Sequence, residues 1–135
     1  MIVISDTSVI TNLAAIQHLQ LPPQLYDQVT IPEAVYRELT DIKSPVPGTL
    51  EVQSVSWFEV RQVLNREVVK RLQGEVSLDP GESEAIALAL ELNADLLLID
   101  ERRGRAEADR LGLRITGLLG ILVEAKHQNL IVAVK

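Results

Sequence analysis

Leu96-Leu97-Leu98-Ile99, closed by Asp95 before it and Asp100 after it, says most about the architecture of this chain. Four apolar residues in a row, without alternation, are the pattern of a strand buried on both faces, as strands of a parallel sheet are. A charged helix (Glu101 to Leu111), a short strand (Arg114 to Thr116) and a helix (Leu118 to His127) follow it. Before it, Asp79-Pro80-Gly81-Glu82 opens a helix that runs to Asn93. At the N-terminus the β-branched run Ile2 to Ile4, the polar Ser5-Asp6-Thr7-Ser8 and the apolar Val9 to Leu21 read as strand, turn and helix. Pro22 and Pro23 end that helix or begin a new turn. Val29-Thr30-Ile31 reads as a second strand, and Pro32 stands where proline is welcome, at the first turn of a helix that closes near Thr40. Ser44-Pro45-Val46-Pro47-Gly48 is the clearest loop; Val52 to Val60 reads as a strand and Leu64 to Leu72 as a helix. Strands that alternate with helices predict a three-layer α/β/α sandwich around a central parallel sheet.

The chain has 135 residues, room for one domain with one sizeable core, and no internal repeat or long linker divides residues 1–135. Aromatics make up only 3%, so the core has to be built from Leu, Ile, Val and Ala. No apolar run is long enough to span a membrane, and Met1-Ile2-Val3-Ile4-Ser5 lacks the basic region of a signal peptide. The absence of cysteine excludes disulfides and thiolate metal sites and fits a cytoplasmic protein. A net charge of −6 argues against nucleic-acid binding, which draws its affinity from Lys and Arg. Bound cations and a local cluster of arginines are the two things that would offset that charge.

In open α/β sheets ligands bind beyond the carboxyl ends of the strands. Asp6 and Asp100 both occupy that position. Either one alone reads as a helix N-cap, but together they favour a shared site, because adjacent strands lie roughly 5 Å apart. Asp79 and Glu82 have the spacing of a capping box. Helical geometry places Glu82, Ile86 and Leu90 on one face and leaves Glu84 and Glu91 on the other, so Glu82 is expected at the site and Glu84 in solvent. Glu38, near the C-terminal end of its helix, reads by itself as a surface glutamate.

Convergent carboxylates, with no Cys and only two histidines, suggest a hard cation such as Mg²⁺ or Mn²⁺. His18 and His127 lack ligand-like spacing and read as surface or packing residues. Such cations suit phosphodiester hydrolysis, because they activate water and neutralise phosphate charge. Arg102, Arg103, Arg105 and Arg110 cluster just after Asp100. They read either as phosphate ligands beside the acids or as a solvated face balanced by Glu101, Glu107 and Asp109.

Four blocks in this order resemble the PIN-domain family. Ile2 to Ile10, with Asp6-Thr7-Ser8, resembles its opening element; Ile31 to Leu39, ending on Glu38, resembles its second. Glu82 through Ala89 and Leu96 to Asp100 are similar to its third and fourth. Gly81-Glu82 and Asp100 to Arg105 look closest to a prokaryotic branch near the VapC-like toxins. The resemblance implies a Mg²⁺- or Mn²⁺-dependent endoribonuclease, often the toxin of a toxin–antitoxin pair. Asp6, Glu38, Glu82 and Asp100 would form its acidic site, with Asp6, Glu82 and Asp100 on the metal. Thr7, Ser8 and Glu101 would support them, and Arg102, Arg103 and Arg105 would meet RNA phosphates. It leaves an antitoxin protein and a homodimer open as partners. Two departures stand out: Glu82 replaces the more usual aspartate, and members of this branch tend to continue into further C-terminal helices. This chain ends on the apolar Leu130-Ile131-Val132-Ala133-Val134-Lys135, which reads as a truncation or an interface awaiting a partner.

Two other classes compete with a nuclease. A phosphotransferase of the haloacid-dehalogenase type needs a second Asp where Ser8 stands, and a receiver domain needs an acidic pair where Ser5-Asp6 supplies one acid. A non-catalytic PIN-like module that engages RNA or protein is the stronger rival, consistent with the acidic composition.

Overall fold

A computed structural model describes residues 1–41 and 58–131. The loop expected at Ser44 to Gly48, the first part of the strand expected from Val52, and Val132 to Lys135 lie outside the described residues. The elements run β1 (Val3–Ser5), α1 (Thr7–Ala15), α2 (Leu21–Tyr26), β2 (Val29–Pro32), α3 (Glu33–Thr40), β3 (Phe58–Arg61), α4 (Arg66–Gly74), α5 (Pro80–Glu91), β4 (Leu96–Leu98), α6 (Arg102–Arg110), β5 (Ile115–Thr116) and α7 (Leu118–His127). The five strands form one parallel sheet in the order β3-β2-β1-β4-β5.

Strand alternation sorts the apolar residues into two cores. Val3 and Leu98 pack on one side with Ile10, Leu13, Val35, Leu39 and Ile121, whereas Ile4, Leu97 and Ile99 pack on the other with Leu72, Ile86, Leu88 and Ala108. Helices α1, α2, α3 and α7 therefore cover one face, and α4, α5 and α6 the other. The sequence order dictates this, because right-handed crossovers leaving β1 and β4 in opposite directions must lie on opposite faces. Between β1 and β4 the direction of winding reverses, and a crevice opens there at the carboxyl ends of the strands. Ser5 pairs with Leu98, and the Asp6 amide donates to the Leu98 carbonyl at 2.9 Å, so the β1–β4 ladder runs into that crevice. No helix among the described residues is long and apolar enough to cross a membrane.

The structure corrects two expectations. The helix expected from Val9 to Leu21 stops at Ala15. Gln17 takes φ +61°, its amide donates to Ala14 and that of His18 to Leu13, closing a Schellman motif with no glycine or asparagine to announce it. Pro22 and Pro23 then sit in the first turn of α2, where no amide donor is needed.

The second correction concerns Glu84, which is 3% exposed, not solvated. Gly81 to Ala89 are buried on every side, because α5 is wedged between the sheet and its neighbouring helices. Glu84 accepts from the Ala34 amide at the start of α3 and pairs with Arg66, both at 3.0 Å, with Arg37 at 3.9 Å. It therefore ties α3 and α4 to α5. Glu84→Ala strips the buried Ala34 amide of its acceptor and is expected to cost about 2 kcal/mol in urea unfolding. Glu84→Gln keeps an acceptor and is expected to cost less than half as much; equal losses would mean that the Ala34 bond contributes little.

Candidate active site

Asp6 caps α1 at the end of β1. Its Oδ1 accepts from the Thr7 amide at 2.7 Å and its Oδ2 from the Ser8 hydroxyl at 3.2 Å. Only 2% of the residue is exposed. Burial, reinforced by Asp79, Glu82 and Glu38 and opposed by the Thr7 amide, pushes its carboxyl up to about 8.

Glu82 enters from the first turn of α5. Its amide donates to Asp79 Oδ1 at 2.7 Å and its Oε1 accepts from the Asp79 amide at 3.5 Å, so the expected capping box is present. The other oxygen, Oε2, is buried with no hydrogen-bond partner. It lies against Gly104 in α6, where a Cβ would come within 2.5 Å of it. Burial first, then the repulsion of Asp79 and Glu101, raises this carboxyl to about 7.

Glu38 reaches the same place from α3, half-buried, and accepts from the Thr7 hydroxyl and from the Gly81 amide at 3.0 Å. A Cβ on Gly81 would stand 2.7 Å from its carboxylate. Burial raises its carboxyl above the ordinary range, and Asp79 and Glu84 add to the rise. Thr7 is thus shared, its amide on Asp6 and its hydroxyl on Glu38.

Asp100 follows β4 and is held from the other side. Its Oδ1 accepts from the Leu118 amide at 2.7 Å and its Oδ2 from Asn12 Nδ2 at 2.8 Å, ties to α7 and α1. The structure thus gathers Asp6, Glu38 and Glu82 into one repelling group, whereas Asp100 is tied to Asn12 and Leu118, in α1 and α7. Among the described residues no three acids stand close enough together to form a ready-made metal cage. The donor set is nonetheless all oxygen, as a hard cation requires, and Glu82 Oε2 is a buried acceptor that no protein donor satisfies.

The arginines divide. Arg102 and Arg103 are exposed in a groove of about 560 Å³ lined also by Glu82 and Glu101, whereas Arg105 lines a second cavity with Asp100. Arg110 leaves the expected cluster and pairs with the buried Glu107. His18 is half-buried and His127 exposed, as expected of packing and surface residues.

Sequence reasoning missed Asp79 as a charge within the acidic group, Asn12 as a ligand of Asp100, and the role of three glycines. Gly81, Gly104 and Gly117 each lie against one carboxylate, that of Glu38, Glu82 and Asp100 respectively. Their spacing from the acids, Gly81-Glu82 and Asp100-x-x-x-Gly104, was visible, but the need for close approach was not.

A doubly wound parallel sheet with buried acids at its switch point defines an α/β protein with an acidic crevice. A family model for the PIN domain matches residues 2–135, nearly the whole chain. The chain belongs to the PIN-domain family, whose members are generally nucleases and typically use divalent metal ions. No curated protein matches it.

Proposed function

We propose that this chain is a divalent-metal-dependent endoribonuclease that hydrolyses RNA phosphodiesters, acting as the toxin of a toxin–antitoxin pair. The observation that carries the reading is the convergence of Asp6 and Glu82, two acids raised towards neutrality by burial, beside a Glu82 oxygen without a donor. Desolvated carboxylates that repel one another are stabilised by a cation between them. Asp6, Glu82 and Asp100 would hold Mg²⁺ or Mn²⁺, and Asn12 and the Leu118 amide would fix the Asp100 carboxylate.

Such a cation, when bound, neutralises the phosphate and acidifies a water. Glu38, which accepts from the Thr7 hydroxyl and the Gly81 amide, would take the proton of the attacking water in this reading. Ser8 orients Asp6, and Glu101 adds negative charge beside Glu82. Arg102 and Arg103 carry no carboxylate partner among the described residues and would bind flanking phosphates in their groove. No side chain serves as a covalent nucleophile. RNA is the substrate in this reading, an antitoxin protein and a second copy are the protein partners, and the cytoplasm is the compartment.

Incubating labelled single-stranded RNA with the protein, in Mg²⁺ or Mn²⁺ and then in EDTA, tests this. Internal cutting that needs the cation supports the nuclease. A folded chain that binds RNA and leaves it intact in Mn²⁺ would make this a non-catalytic PIN-like module.

A further inference from the structure

We propose that the cavity between α6 and α7 is a base-recognition subsite that takes a guanine of single-stranded RNA. The inference rests on the nuclease reading for its substrate and adds a determinant of where the chain is cut.

The cavity, of about 540 Å³, lies within the roughly 300–1,000 Å³ range of small-molecule sites. Asp100, one of the acids proposed to hold the cation, is part of its lining, so a base seated in it would lie beside that acid. One wall is apolar. Leu119 is 64% exposed and Val123 44% exposed, four residues apart on one face of α7. Flanking apolar side chains of this kind are what an unstacked base packs against.

The polar edges of the cavity select among bases. Arg105 NH1 donates to the Ile99 carbonyl at 2.9 Å, which anchors the guanidinium and leaves further N–H groups for a ligand. It pairs with no carboxylate among the described residues, unlike Arg37, Arg66, Arg71 and Arg110. Glu124, also on the cavity, accepts from Gln128 Nε2 at 2.8 Å through one oxygen and has the other to offer. Guanine presents O6 and N7 acceptors, which suit a guanidinium, and N1–H and N2–H₂ donors, which suit a carboxylate. Adenine places an amino donor where guanine has O6, against Arg105. Cytosine and uracil lack the N7 acceptor. Gly117 lets Asp100 and Arg105 approach the backbone in this lining, since a Cβ there would run into both.

The test is binding, in EDTA, of labelled uridine pentamers carrying G, A, C or U at the central position, read by fluorescence anisotropy. The wild-type chain is expected to bind the G pentamer about tenfold more tightly than the others. Glu124→Gln, an exposed and conservative change, should cut that preference below about threefold and leave the U pentamer unaffected. Equal binding of all four pentamers overturns the proposal, as does a preference that survives Glu124→Gln. Leu119→Ala should weaken every pentamer; dissociation of a dimer by Leu119→Ala, with RNA binding unchanged, would make this face a protein interface instead. Because binding is read without a cation, a base preference can stand even where Mn²⁺-dependent cutting fails, so the two readings fail separately.

Discussion

Replacing Asp6 by Asn is expected to abolish metal-dependent RNA cleavage while leaving the fold at least as stable as before. The reason lies in what asparagine keeps and loses. It is as good an N-cap as aspartate, so the bond from the Thr7 amide that starts α1 survives. It replaces a buried acid whose ionisation is opposed by burial and by Asp79, Glu82 and Glu38 with a neutral amide of the same shape. What it loses is a ligand for the cation. Losing about 4 kcal/mol of transition-state charge stabilisation corresponds to about 10³-fold in rate. Cleavage assays beside thermal melts check both halves; a cleavage loss that comes with a lower Tm would mean that Asp6 serves the fold instead.

Stability in EDTA should fall as pH rises from about 4 to about 8. Asp6 and Glu82 have folded-state pKa values raised to about 8 and about 7, above the roughly 4 of unfolded carboxylates. Across that window the folded chain binds more protons than the unfolded one. The stability these groups confer is complete below pH 4 and lost as pH passes their folded values. Each group gives a slope of up to about 1.4 kcal/mol per pH unit within its window. Glu107 works in the opposite sense, but Arg110 holds it low, so its effect is confined to more acidic solution. Asp6→Asn should flatten the upper part of the curve, and Mn²⁺ should raise the Tm more at pH 8 than at pH 5, because it favours the ionised acids. A metal-free Tm that rises between pH 5 and 8 would contradict this.

Much of the fold and of the acidic site is legible in the sequence because it is local. The unalternating Leu96 to Ile99, the capping box at Asp79 and Glu82, and the acids placed just after β1 and β4 are all set by neighbours in the chain. What escapes depends on packing between distant segments. A two-faced helix would put Glu84 in solvent, whereas α5 is enclosed all round; its small residues Ala85, Ala87 and Ala89, alternating around the helix, are the signal of that enclosure. The end of α1 at Ala15 escapes because Gln17 adopts the left-handed conformation without a residue type that favours it. Asn12 meets Asp100 across 88 positions of sequence, and Gly104 meets Glu82 across two helices. The separation of Arg105 from Arg102 and Arg103 follows from its bond to the Ile99 carbonyl, a contact that its place in the arginine cluster does not announce.

Whether the acids form one metal centre is decided by titrating the protein with Mn²⁺ in a calorimeter at pH 8, for the wild type, Asp6→Asn, Glu82→Gln and the exposed control Glu33→Gln. A shared centre predicts a saturable site in the wild type and the control, weakened at least about tenfold by Asp6→Asn and by Glu82→Gln. Equal Mn²⁺ binding by all four proteins would contradict it.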